Sequence, residues 1–317
     1  MHRTTRLLIL ALLFLAVVPA RAAEIRLSMP PDPNALPVFV LEAKKERFLP
    51  DDELTLVSNP SGDPSAMRAM IQSRRVDFAL FNLIGGTRFV QGGMDDLALI
   101  SPWVWKGIYL LQPVQAEGLS ELDGRKVLVA PGISTPPHIV TKKALAEMDI
   151  HPQFITGGMG AVLMQQLRTP ERAPAAVAAP EPMVSLILDR QRAQDWEQRW
   201  EIRLDPAEQL GGTIPLGALW QTHPDVPPEV REHLVAALDE VAAWLEDPAN
   251  HDEAAAIGAA GYQALFRMPV PAATFREMLG AERVRWAIDT GPETRRIVDD
   301  YLRSVFGIET PAGLFMQ

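Results

Sequence analysis

Residues 123-DGRKVLVAPGISTPPHIVTKKALAEMDI-150 hold an apolar run from Val127 to Ala130, then Pro131-Gly132, Ser134-Thr135, two prolines and an amphipathic segment. That order reads as a strand, a polar turn and a helix. In open α/β sheets such turns are where small molecules sit. The stretch therefore poses two questions: what the turn holds, and whether anything near it does chemistry.

The same unit recurs on both sides. Glu24–Met29 alternates as a half-buried strand does, the proline-rich loop 30–34 follows, and Leu36 to Lys45 reads as helical. Glu53 to Val57 is a second strand, ended by 59-NPSGD-63, and Met67, Met70 and Ile71 recur at helical spacing. Val76 to Phe81 is a third strand, with Asn82 to Gly86 as its turn. A second series holds Ile108–Leu111, Lys126–Ala130, a helix near 138–148, Phe154–Thr156 before 157-GGMG-160, and Ala175–Ala179 before 180-PEP-182. An extended run from Ile214 to Trp220 leads into helices. One carries Val230, Leu234, Leu238, Val241 and Leu245 as an apolar stripe, and the last carries Ile297, Tyr301 and Val305. Strands alternating with helices imply mostly parallel sheets with covering helices.

Arg3 and Arg6, the apolar run Leu7 to Val18 and the small-residue site Ala20-Arg21-Ala22 read as an export leader over residues 1–22. The run is too short for a membrane span, which needs roughly 20 residues. The chain contains no cysteine, so neither disulfides nor thiolate chemistry is available to it. Removing Arg3, Arg6 and Arg21 with the leader takes the formal charge from −10 to −13. So acidic a chain repels phosphate backbones, and nucleic acid is not expected as a partner.

Enzyme templates fit poorly. Gly158-Met159-Gly160 follows a strand, but Leu163 stands where a dinucleotide fingerprint needs a third small residue. Gly132-Ile133-Ser134-Thr135-Pro136 lacks the closing glycine of a nucleophile elbow. No two of the six histidines lie three to five residues apart, so no metal site is expected. The methionines at 67, 70, 159 and 164 read as gap-filling core. No catalytic residue, metal or cofactor is assigned.

Binding fits better. The turns at 30–34, 59–63, 82–86, 132–138, 157–160 and 180–182 all follow strands, and parallel packing gathers them along sheet edges. The candidate ligand contacts are Asn34, Asn82, Ser134, Thr135, His138 and Met159 in these turns. Glu181 adds a charge, and Trp103, Trp105 or Trp220 a stacking surface.

The order of segments resembles the periplasmic solute-binding proteins of ABC importers, of the nitrate/sulfonate/taurine and thiamine-precursor type. The matching pieces are 37-PVFVLEAKKERFLPDDELTLV-57, 76-VDFALFNLIGGTRFVQGG-93, 122-LDGRKVLVAPGISTPPHIVTKKALAEMDI-150, 175-AAVAAPEPMVSLIL-188 and 215-PLGALWQTHPDVPPEVREHLVAALDEVAAWL-245. The likeness departs at Glu46-Arg47-Phe48, where such proteins often place a glycine before the aromatic, and at Pro136-Pro137. It implies an α/β, two-lobed type II periplasmic-binding-protein fold, each lobe a mixed, mostly parallel sheet flanked by helices, with a cleft between. Residues 24–105 with 213–317 would form the first lobe and 106–212 the second. The implied protein is a monomer that closes on a small molecule and delivers it to an ABC permease and its ATPase. The rivals are a periplasmic sensor or metallochaperone, and an enzyme on the same scaffold.

The turn in the opening stretch is a poor anion site. A helix start offers N–H groups and partial positive charge, but Pro136 and Pro137 lack the N–H. Glu181, if it faces the cleft, repels an anion further. The expected solute is neutral, heteroaromatic or cationic.

Overall fold

The computed structural model describes residues 23–59, 63–158, 160–212 and 214–316. The expected leader, the turn residues Pro60, Ser61 and Gly62, and Met159 lie outside the described residues.

Two sheets organise the chain. The first contains β1 (Glu24–Met29), β2 (Glu53–Ser58), β3 (Phe78–Asn82) and β4 (Ala98–Lys106), and is completed by β10 (Gly217–Gln221) and β11 (Arg285–Trp286). Its order is β11-β4-β10-β3-β1-β2. The second contains β5 (Ile108–Pro113), β6 (Lys126–Val129), β7 (Gln153–Thr156), β8 (Ala176–Pro180) and β9 (Trp200–Leu204), in the order β7-β6-β8-β5-β9. Strands β1, β2 and β3 pair in parallel, as do β6, β7 and β8. The remaining pairings are antiparallel. Parallel order holds where helices connect the strands and gives way in the strands that flank the two crossings between sheets.

Ten helices of two turns or more cover these sheets among the described residues. They are α1 (Ala35–Ala43), α2 (Pro64–Gln72), α3 (Leu83–Gln91), α4 (Pro136–Ala146), α5 (Gly160–Arg168), α6 (Met183–Ala193), α7 (Pro228–Glu246), α8 (His251–Gly261), α9 (Ala272–Gly280) and α10 (Pro292–Phe306). The expected stripe of α7 is buried in full against the first lobe, at roughly 1.5–3 kcal/mol for each large apolar side chain. Met67 and Met70 of α2 fill the same core. The second sheet is covered on both faces: Val177 and Ala179 of β8 join one core, Ala176 and Ala178 the other. Burial on both sides is why this strand reads as an unbroken apolar run.

Two readings need correction. Residues 98–106 form the longest strand, although no strand was expected there. Pro102 breaks the ladder locally, and β10 accommodates it with register shifts on either side of its partner Ala218. Residues 82–86 are not a turn. Asn82 ends β3 and at once caps α3, its side chain accepting from Gly85 N at 2.7 Å. Gly85 and Gly86 therefore lie inside a helix, where glycine costs about 1 kcal/mol against alanine.

The reason for Gly86 is steric. A Cβ there would stand 2.1 Å from the Trp220 ring, which is fully buried and stacked on Phe81 at 5.4 Å between centroids. Gly86→Ala is expected to destabilise the protein by about 1–3 kcal/mol despite its better helix propensity. The check is a lowered urea midpoint with an unchanged denaturant slope.

Candidate functional site

The carboxyl ends of the parallel strands in both sheets run towards the crossing between β4 and β5, a single residue, Gly107. Its φ of +141° lies in a region that side chains avoid, and a Cβ would meet Pro33 at 3.4 Å and Val284 at 3.5 Å. The Gly107 carbonyl accepts from Glu181 N at 2.8 Å. The loop after β1 and the turn after β8 thus meet at one residue.

On the first-lobe side, Asp32 organises the loop. Its Oδ1 accepts from Asn34 N at 2.9 Å and from Asn34 Nδ2 at 2.7 Å, and its carbonyl accepts from the Tyr262 hydroxyl at 2.9 Å. Burial pushes the Asp32 carboxyl up to about 7, against the Asn34 hydrogen bonds. Asn34 is buried, and its Oδ1 stands 2.8 Å from where a Gly217 Cβ would be. Gly217 pairs with Asn82, so the two asparagines flank one strand end.

On the second-lobe side, Glu181 is wholly buried and turned back on its own helix. Its two oxygens accept from Ser185 N at 3.0 Å and Ser185 Oγ at 2.9 Å. Arg283 of the first lobe approaches it at 3.9 Å, and donates to Ser185 Oγ at 2.7 Å and to Glu277 at 2.9 Å. Burial pushes Glu181 up to about 7, while the Ser185 amide and Arg283 oppose the rise. The expectation that Glu181 presents a bare charge to the solute is therefore corrected: the charge is capped and paired. Arg192 with Glu277, and Thr274 with Asp189 at 3.2 Å, extend this seam between α6 and α9.

The turn of the opening stretch forms a separate wall. Ser134 is exposed at φ +67°, and its N–H donates to His138 Nδ1 at 3.1 Å. Thr135 Oγ1 donates to the Gly132 carbonyl at 2.5 Å. Half-buried His138 rests edge-on against Phe154, and burial followed by Lys142 lowers its pKa. With Nδ1 accepting, its proton lies on Nε2.

Trp103 and Trp220 are corrected outright. Both are fully buried in the first-lobe core with unpartnered indole N–H groups, so they support the helices and offer no stacking face. Trp105 is buried as well and donates to the Ala287 carbonyl at 2.9 Å. The reading missed Asp32, Arg283, Tyr109 and Tyr262. Asp32 had a signal, an aspartate two residues before the N-cap Asn34, which is an Asx-turn position. Arg283 had none, since its partner Ser185 is 98 residues away in sequence.

Internal acceptors hold some of the N–H groups at the helix starts of these edges. In α1, Ala35 N donates to the Asp32 carbonyl at 3.0 Å, and Pro37 has no N–H. In α3, Leu83 N donates to the Leu216 carbonyl at 3.1 Å and Gly85 N to Asn82. In α4, Pro136 and Pro137 have none to give, and in α6 the Glu181 carboxylate holds Ser185 N. Among the described residues, no three His, Asp or Glu side chains gather as a metal site.

The sequence matches no family model and no curated protein. The structure does find relatives in shape. One is the periplasmic aliphatic sulphonate binding protein SsuA from Escherichia coli, 15% identical with a TM-score of 0.70, covering 93% of this chain and 92% of that one. A second is the zinc-bound ligand binding component of an ABC-type import system from Staphylococcus aureus, 12% identical with a TM-score of 0.69, covering 93% and 96%. A third, from Candida albicans, is described as having the generic periplasmic binding protein structural fold. It is 12% identical with a TM-score of 0.60, covering 92% and 93%. The fold is that of the periplasmic binding proteins.

Because Glu181 holds its proton more tightly folded than unfolded, its ionisation costs stability as pH rises from the ordinary carboxylate range through about 7. Arg283→Ala removes the cation facing it. The expected loss at pH 8 is about 3 kcal/mol or more. It is smaller at pH 5.5, where Glu181 keeps its proton. Urea midpoints of wild type and variant at the two pH values measure the difference.

Proposed function

We propose that this protein is the solute-binding subunit of an ABC importer, holding a small organic molecule between two lobes and releasing it unchanged to a membrane permease with its ATPase. Residues 24–105 with 213–317 form one lobe and 106–212 the other. The protein works as a monomer in the periplasm, exported by its leader, and has no catalysis of its own. The observation that carries this reading is the meeting of both strand-end edges at Gly107, a one-residue crossing about which the proposed lobes would hinge. The names of the similar structures support it by analogy of fold, since binding and import are what those proteins are described as doing.

Asn34, Asn82, Ser134, Thr135 and His138 line the crevice, with Met159 a further contact. Glu181 supports it from behind. The solute is not a small oxyanion. Helix starts bind anions through free N–H groups, and at α3, α4 and α6 some of those groups are absent or held by the protein's own acceptors.

The test is a thermal-shift screen of purified protein against nitrate, alkylsulfonates, pyrimidines and amines. A true ligand at about 100 times its Kd adds about 2.7 kcal/mol, which for a protein of this size raises Tm by roughly 5 °C. Nitrate and ethanesulfonate are expected to give no shift. Tight binding of either, with no competition from amines or pyrimidines, would overturn the solute class. Steady turnover of a bound metabolite would overturn the binding role.

A further inference from the structure

We infer that the solute enters this crevice through a protonated nitrogen, an amine, amidine or guanidinium, seated on the Asp32 carboxylate beside the Asn34 side-chain carbonyl. The inference rests on the solute-binding reading above and names the chemistry of its ligand.

Three features of the Asp32 loop converge on it. Asp32 is half-buried and uses only Oδ1, for the two Asn34 donors; Oδ2 has no hydrogen-bond or ion-pair partner among the described residues. Asn34 is 2% exposed, and its Oδ1 accepts nothing. Its orientation is fixed, because reversing the amide would set a carbonyl against the Asp32 carboxylate at 2.7 Å. Two acceptors, two residues apart in the chain, are thus without a donor, one of them charged and the other buried, where the lobes meet. A buried acceptor without a donor is unfavourable, so the arrangement is completed by something that brings N–H groups.

The charges around Asp32 decide what that is. Arg283, the cation of the neighbouring seam, is already engaged by Glu277, Ser185 and Glu181. Tyr109 donates to the Arg283 carbonyl, and Tyr262 donates to the Asp32 carbonyl. The Tyr262 phenol feels the negative charge of both Asp32 and Glu181, and each raises its pKa after burial has done so. No Lys, Arg or His among the described residues pairs with Asp32. A neutral ring would satisfy the open acceptors and leave the charge, and an anion would add to it. A cation with two or more N–H groups satisfies both, which an ordered water does only in part. Seating it draws Asp32 back down from about 7, so binding near neutral pH expels a fraction of a proton.

The experiment uses the full exported chain. Agmatine, cadaverine and benzamidine are the cationic probes, pentanol and benzamide the uncharged controls, and ethanesulfonate the anion. Affinities come from calorimetry at pH 8, 7, 6 and 5 in two buffers of different ionisation enthalpy. The expected result is binding by one or more cations but not by the controls, with affinity falling towards tenfold per pH unit below about 7. A buffer-dependent heat should report the released proton. Asp32→Asn should weaken that cation tenfold or more, and Asn34→Ser should weaken it in a variant that keeps the carboxylate. Circular dichroism and the urea midpoint establish that each variant is folded. Equal binding of cations to wild type and to both folded variants would overturn the inference, marking attraction to an acidic surface. Tight binding of a control or of the sulfonate would overturn it while leaving the solute-binding reading standing. Absence of any binding across these probes and the wider screen counts against both.

Discussion

Gly107 fixes where the two sheets can meet. One residue joins the longest strand of the first sheet to β5 of the second, so the sheets cannot drift apart. Its backbone conformation, at φ +141°, admits no side chain without strain. Its carbonyl holds the Glu181 N–H. Those contacts set the loop after β1 against the turn after β8. The ion pairs of the α6–α9 seam lie farther out and brace a junction whose geometry the backbone has already fixed.

Local pattern made most of the architecture legible. Apolar runs broken by Pro-Gly, Asn-Pro and Gly-Gly located eight of the strands within a few residues, and the stripe of α7 was read correctly along its whole length. The failures have identifiable physical causes. Strand β4 carries a proline that is tolerated only because its partner strand shifts register, and that compensation lies more than a hundred residues away. The glycines of α3 look like a turn until the buried Trp220 ring beneath them is known. In each case tertiary contact overrode a sound local preference.

The site was less legible than the fold, for a related reason. Turns were found because they punctuate the chain, but the direction of a side chain within a turn is set by its partners. Glu181 was chosen for its charge, and that charge is spent on Ser185 and Arg283. The tryptophans were chosen for their faces, and those faces are packed in the core. Asn34 and Thr135 stand at helix N-caps, so their places in the chain, though not their contacts, follow from the local pattern. Asp32 was overlooked among the prolines around it.

These outcomes bear on how one fold comes to bind solutes of opposite charge. Helix starts around such a crevice are positive by default, and that default suits nitrate or sulfonate. To recognise anything else, the chain must cancel the field or reverse it. Here α4 begins with two prolines that remove donors, α3 and α6 are capped by Asn82 and Glu181, and Asp32 holds the amide ahead of α1. Proline and asparagine remove donors without adding charge, and Glu181 is balanced by Arg283. Asp32 is different, because it answers the same demand with a negative charge that nothing nearby offsets. A carboxylate placed only to cap a helix would gain from a neighbouring cation or from open water. One left half-buried beside an unpartnered carbonyl is the arrangement that the proposed cationic solute would complete.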